Sequence, residues 1–271
     1  MRLKKFVKRR KLRLALFALL LIAALPVSAI ILHRFDPGML ARLSFYLDLA
    51  NPSMRIVRVE AGQRKEEVAE VLFQKLEWSE GDRDAFLELA LGDTNKNPEG
   101  RYFPRTYLIH KNEEPDTVGS LMHFEFSKNL EKIQPDAVLN EDTVLKIASI
   151  IQREAAGSHD MALISGILWN RIWNDMKLQV DATLQYAKGS VENDWWPPVT
   201  GSDRKIKSPY NTYLYGGLPP SPISNPGAAA LRAAYNPAKT SCLFFLHDKN
   251  RKIHCTKTYE EHKRNIERYL K

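Results

Sequence analysis

One unbroken apolar run, Leu14 to Leu32 (LALFALLLIAALPVSAIIL), constrains this chain more than any other stretch. Its 19 residues carry no charged side chain. At 1.5 Å per residue a helix of that length crosses the ~30 Å hydrocarbon core of a bilayer. The run is preceded by MRLKKFVKRRKLR, residues 1–13, with eight cations and no acid. Positive flanks stay on the cytoplasmic side. The expectation is a basic cytoplasmic tail at 1–13, a transmembrane helix at 14–32, and the rest of the chain outside the cytoplasmic (inner) membrane. A cleaved signal peptide is the rival reading, with Pro26-Val27-Ser28-Ala29 as a small-residue site. The run exceeds the usual apolar core of such peptides, which favours an uncleaved anchor.

The same tail explains the net charge of +8. It holds eight of the 40 Lys and Arg, and the remaining 32 balance the 32 Asp and Glu. The exported part is formally neutral, so it carries no electrostatic footprint for nucleic acid.

The remainder divides into a connector at 33–53, a small module at 54–113 and a larger, mainly helical part at 114–271. The module reads strand, helix, helix, strand: alternation at 55–59, helical spacing at 65–76 and 82–91, and a return strand at 107–109. Two strands make a marginal sheet, so the module must lean on a neighbour. The larger part predicts helices over 115–130, 140–157 and 161–173. A turn and short helix follow at 176–186 with Asp181 as N-cap. A helix over 226–235 has Asn225 as N-cap and Pro226 at its first position, and a charged amphipathic helix closes the chain at 258–270. The fold class is α+β. The flap at 188–208 carries Trp195 and Trp196, which either stack on sugar rings or anchor the loop. Residues 209–227, PYNTYLYGGLPPSPISNPG, are too rich in proline and glycine for a regular element. Long irregular loops in compact domains are usually functional.

Cys242 and Cys255 flank a hairpin with its turn near Asn250, facing each other or nearly so. Register decides between a cross-strand disulfide and two thiols. The spacing of nearby His247 and His254 fits no standard zinc site, and neither metal nor cofactor is expected.

Chemistry concentrates in NEDTVLKIASIIQREAAG, residues 140–157. Asn140 is placed to cap the helix, Glu141 and Asp142 suit its first turn, and Gly157 lies just past its end. Val144, Ile147, Ile150 and Ile151 form one apolar stripe, and Glu154 continues it. Burial and the helix C-terminus both disfavour a charge there, so both raise the pKa toward what a general acid needs. A rim glutamate paired with a Lys or Arg is the plainer reading. No G-x-S-x-G, phosphate-binding glycine loop or H-E-x-x-H competes for the role.

Taken together, I-A-S-I-I-Q-R-E-A (147–155), W-N-R-I (169–172), L-Q-V-D-A-T (178–183), Y-N-T-Y (210–213), G-L-P-P (217–220) and N-P-G (225–227) resemble the YceG-like endolytic murein transglycosylases. E-G-R-Y-F-P-R-T-Y (99–107) is similar to a further family segment, and the first module resembles the family's LysM-like subdomain. The resemblance implies a membrane-anchored lyase that cuts the β-1,4 bond between N-acetylmuramic acid and N-acetylglucosamine within glycan strands. It leaves 1,6-anhydro ends and terminates or releases nascent strands, with peptidoglycan synthases as expected partners. By position, the catalytic glutamate falls on Glu154. Gln179, Asp181, Tyr210, Asn211, Thr212 and Tyr213 are the candidates for lining the groove, each with a structural alternative as cap or turn former. Two departures stand out: Gln152 replaces a second acid, and Ala182 replaces a proline that often follows the aspartate. A non-catalytic peptidoglycan-binding scaffold and a hydrolytic muramidase are the alternatives.

Overall fold

The helix Pro115–Ile133 buries Val118, Met122, Phe126 and Leu130 at four-residue intervals along one stripe. The two halves of that stripe face different cores: Val118 and Met122 one, Phe126 and Leu130 the other. In the computed structural model, which describes residues 46–90, 97–133, 140–192 and 194–271, this helix is shared by both parts of a helix-rich α+β fold with two small sheets. The chain divides into Met1–Met54 and Arg55–Lys271. The expected transmembrane helix at 14–32 lies outside the described residues, and among those described no helix is long and apolar enough to cross a membrane.

The element order is β1 (Met54–Arg58), α1 (Lys65–Lys75), α2 (Glu80–Glu88), β2 (Thr106–His110), α3 (Pro115–Ile133), α4 (Glu141–Glu154), α5 (Met161–Trp173), α6 (Asp181–Lys188), a 3-10 turn (Asp203–Lys205), α7 (Ala228–Tyr235), β3 (Phe244–His247), β4 (Ile253–Thr256) and α8 (Tyr259–Tyr269). β1 pairs with β2. Val57, Val59, Tyr107 and Ile109 bury against Val68 and Leu72 of α1 and Phe86 of α2, so the two-stranded sheet leans on its own helices and on α3. Helix α2 starts two residues earlier than its apolar spacing suggests. A capping box sets the start: Ser79 Oγ accepts from Asp82 N at 3.2 Å, and the Asp82 carboxylate accepts from Ser79 N at 2.8 Å.

The second core forms around α4, which packs on α5 and α7. Asn140 caps α4, its Oδ1 accepting from Asp142 N at 2.9 Å and Thr143 N at 3.3 Å. The helix ends at Glu154, before Gly157 is reached. Ala156 N and Gly157 N donate to the buried Asp160 carboxylate at 3.0 and 3.3 Å and draw the chain into a turn.

Two expected caps are corrected. Asn225 does not start α7, because its side chain ties the two parts of the fold together. Its Oδ1 accepts from Tyr102 N at 2.8 Å and its Nδ2 donates to Gln63 O at 3.0 Å. The cap passes to Gly227, and Pro226 lies outside the helix. Asp181 does not cap α6. It is the first helical residue behind Val180, and its carboxylate accepts from Tyr213 instead.

The structure joins Cys242 to Cys255 in a disulfide with Cα atoms 5.8 Å apart. The two are not opposite in the ladder. Cys255 pairs with Phe245, and Cys242 reaches it from the segment before β3. The neighbouring histidines have separate partners: His247 Nε2 lies 2.7 Å from Asp160 Oδ2, and His254 Nε2 lies 2.8 Å from Asp248 Oδ2.

Glu99 is fully buried where the small module meets α6. Both of its oxygens accept from Lys65 N, at 3.1 and 3.2 Å, and Tyr186 Oη donates to Oε2 at 3.2 Å. The adjoining Gly100 has φ +85°, and a Cβ there would meet Pro222 at 2.7 Å, so only glycine fits. Burial, reinforced by the charge of Glu66, pushes the Glu99 carboxyl up to about 8, against the pull of Lys65 N and the cations of Arg64 and Lys65. The folded value lies above the ordinary 4.5 of the unfolded chain. The protonated acid therefore favours the fold fully below that ordinary value, and the contribution erodes as pH rises toward 8. Glu99→Gln should flatten the fall in melting temperature between pH 5 and 8. Thermal melts across that range read it, and an unchanged slope would contradict it.

Candidate active site

Glu154 ends α4 half-buried and opens on a cavity of about 980 Å³. That volume is ample for sugar rings. The floor on one side is apolar, from Leu168 and Leu178 to Phe244 and Phe245 of β3. The polar groups facing it include Gln179, Asp181, Arg171, Arg204 and Tyr213.

The site is assembled from behind by buried loop residues. Gln179 has φ +50°, a left-handed conformation that side chains rarely adopt and that needs support from its surroundings. Thr212 supplies the support twice: its carbonyl accepts from Gln179 N at 3.1 Å and its Oγ1 from Val180 N at 3.0 Å. Thr212 Oγ1 also lies 2.9 Å from Thr183 Oγ1, which fastens the first turn of α6. Asn211, fully buried, donates to Arg204 O at 3.1 Å and Ile206 O at 2.7 Å while its Oδ1 accepts from Tyr213 N at 2.9 Å. The loop's far end docks on the back of α4, where Ile223 N donates to Ser149 Oγ at 3.0 Å and Gly227 N to Gln152 Oε1 at 3.1 Å. Gln152 is thus occupied as an acceptor for the loop.

Of the six groove candidates, Gln179, Asp181 and Tyr213 line the cavity with Glu154. Asn211 and Thr212 are buried behind it and shape it. Tyr210 packs its ring 4.8 Å from Tyr186 and places its hydroxyl 2.7 Å from Ser221 Oγ, away from the cavity lining. Trp195 and Trp196 serve as loop anchors. The Arg64 guanidinium lies over Trp195 at 4.8 Å and that of Arg153 over Trp196 at 3.6 Å, and Trp196 Nε1 donates to Glu67 Oε2 at 2.8 Å. Sequence reasoning missed the far wall: Phe244, Phe245, His247, Tyr259 and His262 come from the hairpin and α8. Arg171, inside W-N-R-I (169–172), also lines the cavity without having been a site candidate.

Electrostatically, Glu154 is poised. Burial pushes its carboxyl up to about 7. The Ala182 N–H, donating to Oε1 at 3.4 Å, opposes the shift, Asp181 adds to it, and Arg153 and Arg171 oppose it. A proline at 182 would have no N–H to give. Asp181 has its own partner, since Tyr213 Oη donates to Oδ1 at 2.6 Å. The cavity therefore holds two carboxyl groups, one resisting ionisation and one hydrogen-bonded and more open, where the sequence pointed to a single well-placed acid.

Fold and site together define a class: a helical domain with an appended βααβ module and a half-buried acid at a helix end beside an irregular loop. Residues 33–268 match the YceG-like family model, and the chain belongs to that family. It is 36% identical over 183 residues to an endolytic murein transglycosylase of Bacillus subtilis, covering 65% of this chain and 49% of that one. It is 32% identical over 177 residues to an endolytic murein transglycosylase of Streptococcus pneumoniae, covering 64% of this chain and 32% of the other. The chain thus spans about a third to about a half of the length of these relatives. The crystal structure of a yceG-like protein from Listeria monocytogenes superposes with a TM-score of 0.67 at 27% identity, covering 79% of this chain and 76% of that one.

Because the Asp181 charge adds to the shift that burial imposes on Glu154, Asp181→Asn should lower the Glu154 pKa from about 7. Carbon-13 NMR titration of the labelled carboxyl reads the shift, and an unmoved or raised midpoint would contradict the assignment of charges.

Proposed function

We propose that this protein is an endolytic lytic transglycosylase of peptidoglycan, with Glu154 as its acid and then its base. The observation that carries the reading is the Glu154 carboxyl, half-buried at the end of α4 on a sugar-sized cavity and pushed up to about 7. A group with that value is protonated often enough near neutral pH to give a proton and ionised easily enough to take one back. Glycosidases that use water need a second carboxyl to activate it or to attack carbon. A transglycosylase uses the C6 hydroxyl of its own muramyl sugar, so one carboxyl serves both halves. Glu154 protonates the glycosidic oxygen as the C1–O bond breaks. It then takes the proton from the C6 hydroxyl as that oxygen closes on C1, which leaves a 1,6-anhydro end. Membership of the YceG-like family and the names of the relatives support the substrate class. Gln179, Asp181 and Tyr213 are the groove-lining groups in this proposal. The uncharged run at 14–32 would hold the enzyme at the cytoplasmic membrane, where nascent strands emerge. The module before α3 would act as a LysM-like grip on glycan, and termination of new strands beside their synthases follows from that placement.

One observation favours a second reading. The Asp181 carboxylate shares the cavity and could activate a water, which would make the enzyme a muramidase. Mass spectrometry of digested, purified glycan strands separates the outcomes. Anhydro ends are expected, reducing ends would mean hydrolysis, and no cutting would mean a binding scaffold. Glu154→Gln should abolish cleavage in a folded protein. Because the folded carboxyl sits above its ordinary 4.5, the ionised form opposes folding as pH rises to about 7, so the amide variant should be no less stable than wild type at pH 8. Wild-type kcat/KM should fall as pH rises through about 7, as the acid is lost. Cleavage retained by Glu154→Gln would overturn the reading.

A further inference from the structure

Arg171, on α5, is 8% exposed and lines the cavity that holds Glu154. Its Nε donates to Leu243 O at 2.6 Å, and its Nη1 to Leu178 O at 2.5 Å and Lys177 O at 3.5 Å. All three acceptors are neutral main-chain carbonyls. Among the described residues the guanidinium has no ion pair, and its Nη2 has no hydrogen bond. A buried, unpaired cation is costly, and an apolar side chain could pack on the Phe244 ring, 5.2 Å away, without that cost. The carbonyls come from two segments, the approach to α6 and the residue before β3. They fix the charge in one place, where it cannot follow a mobile ligand.

Other charged and titratable groups face the site from several elements. On α4, Arg153 is stacked on Trp196 and donates to Gly62 O at 3.4 Å, and its charge also favours the ionised form of Glu154. From α6 comes Asp181, bonded by Tyr213 of the long loop, with Arg204 lying exposed over the Tyr213 ring at 4.7 Å. The hairpin and α8 add His247, tied to Asp160, and His262 with Tyr259. Arg171 is the buried cation of this set, and it interacts electrostatically with Glu154.

We propose that Arg171 is the fixed counter-charge for the ionised state of Glu154, a positioning residue that holds the carboxylate formed midway through the reaction. The proposal rests on the acid–base reading above. In the first half, the Glu154 proton moves to the glycosidic oxygen, the C1–O electron pair leaves on that oxygen, and Glu154 becomes an anion beside a cationic sugar. In the second half, the C6 oxygen bonds to C1 and its proton returns to Glu154. Before the first half, Arg171 faces a neutral acid. During it, Arg171 gains a carboxylate. An interaction that strengthens only then acts on kcat rather than on KM. Asp181 and Arg171 thereby oppose each other: one keeps the proton on, and the other stabilises the anion once it has gone.

The test is steady-state cleavage of soluble, uncross-linked glycan strands by Arg171→Gln, Arg171→Lys and Arg171→Ala, with melting curves to establish folding. Loss of the charge should lower kcat about 100-fold with little change in KM. Arg171→Lys should recover part of the loss. Guanidinium chloride, unlike sodium chloride at equal concentration, should raise kcat in Arg171→Ala. Should the Gln and Ala variants fail to fold, Arg171→Lys still decides, since a displaced ammonium must lower kcat at constant KM. Wild-type kcat in any folded variant, or a raised KM at unchanged kcat, would overturn the proposal. Cleavage by Glu154→Gln would sink the acid–base reading itself. An inactive Glu154→Gln beside fully active Arg171 variants would sink this proposal alone.

Discussion

Everything in this structure depends on desolvating one carboxyl without sealing it off. The apolar stripe of α4 runs Val144, Ile147, Ile150, Ile151 and then Glu154, so the packing that buries the helix also carries the acid into a low-dielectric position. The helix stops there because Asp160 takes the next two free amides, Ala156 N and Gly157 N.

The surroundings then set how far the shift goes. The first turn of α6 offers the Ala182 N–H and brings the Asp181 charge, two opposed influences from adjacent residues. Their placement depends on Thr212, which holds the strained Gln179–Val180 approach with its carbonyl and its hydroxyl. The long loop at 209–227 is therefore scaffold as much as surface. Its buried Asn211, Thr212, Ser224 and Asn225 hold α6, α4 and the small module in register.

Much of this was legible in the chain. Period and capping chemistry located α4, α5 and the hairpin, and the apolar position of Glu154 pointed to its raised pKa. What escaped were relations between distant segments. Asn225 and Asp181 have the residue types of helix caps, and local rules assign them so. Tertiary partners, Tyr102 and Gln63 for one and Tyr213 for the other, claimed their side chains instead. The far wall of the cavity comes from the last thirty residues of the chain, whose pattern speaks only of a hairpin and a surface helix. Nothing in the pattern of α5 reveals that the partners of Arg171 are the carbonyls of residues 177, 178 and 243.

The fold pushes the Glu154 carboxyl up to about 7, so a large share of it stays protonated near neutral pH. Potentiometric difference titration of the wild-type protein against Glu154→Gln counts that proton directly. The wild type should release one extra proton with a midpoint near 7. Release centred near the ordinary carboxylate value of 4.5 would contradict it.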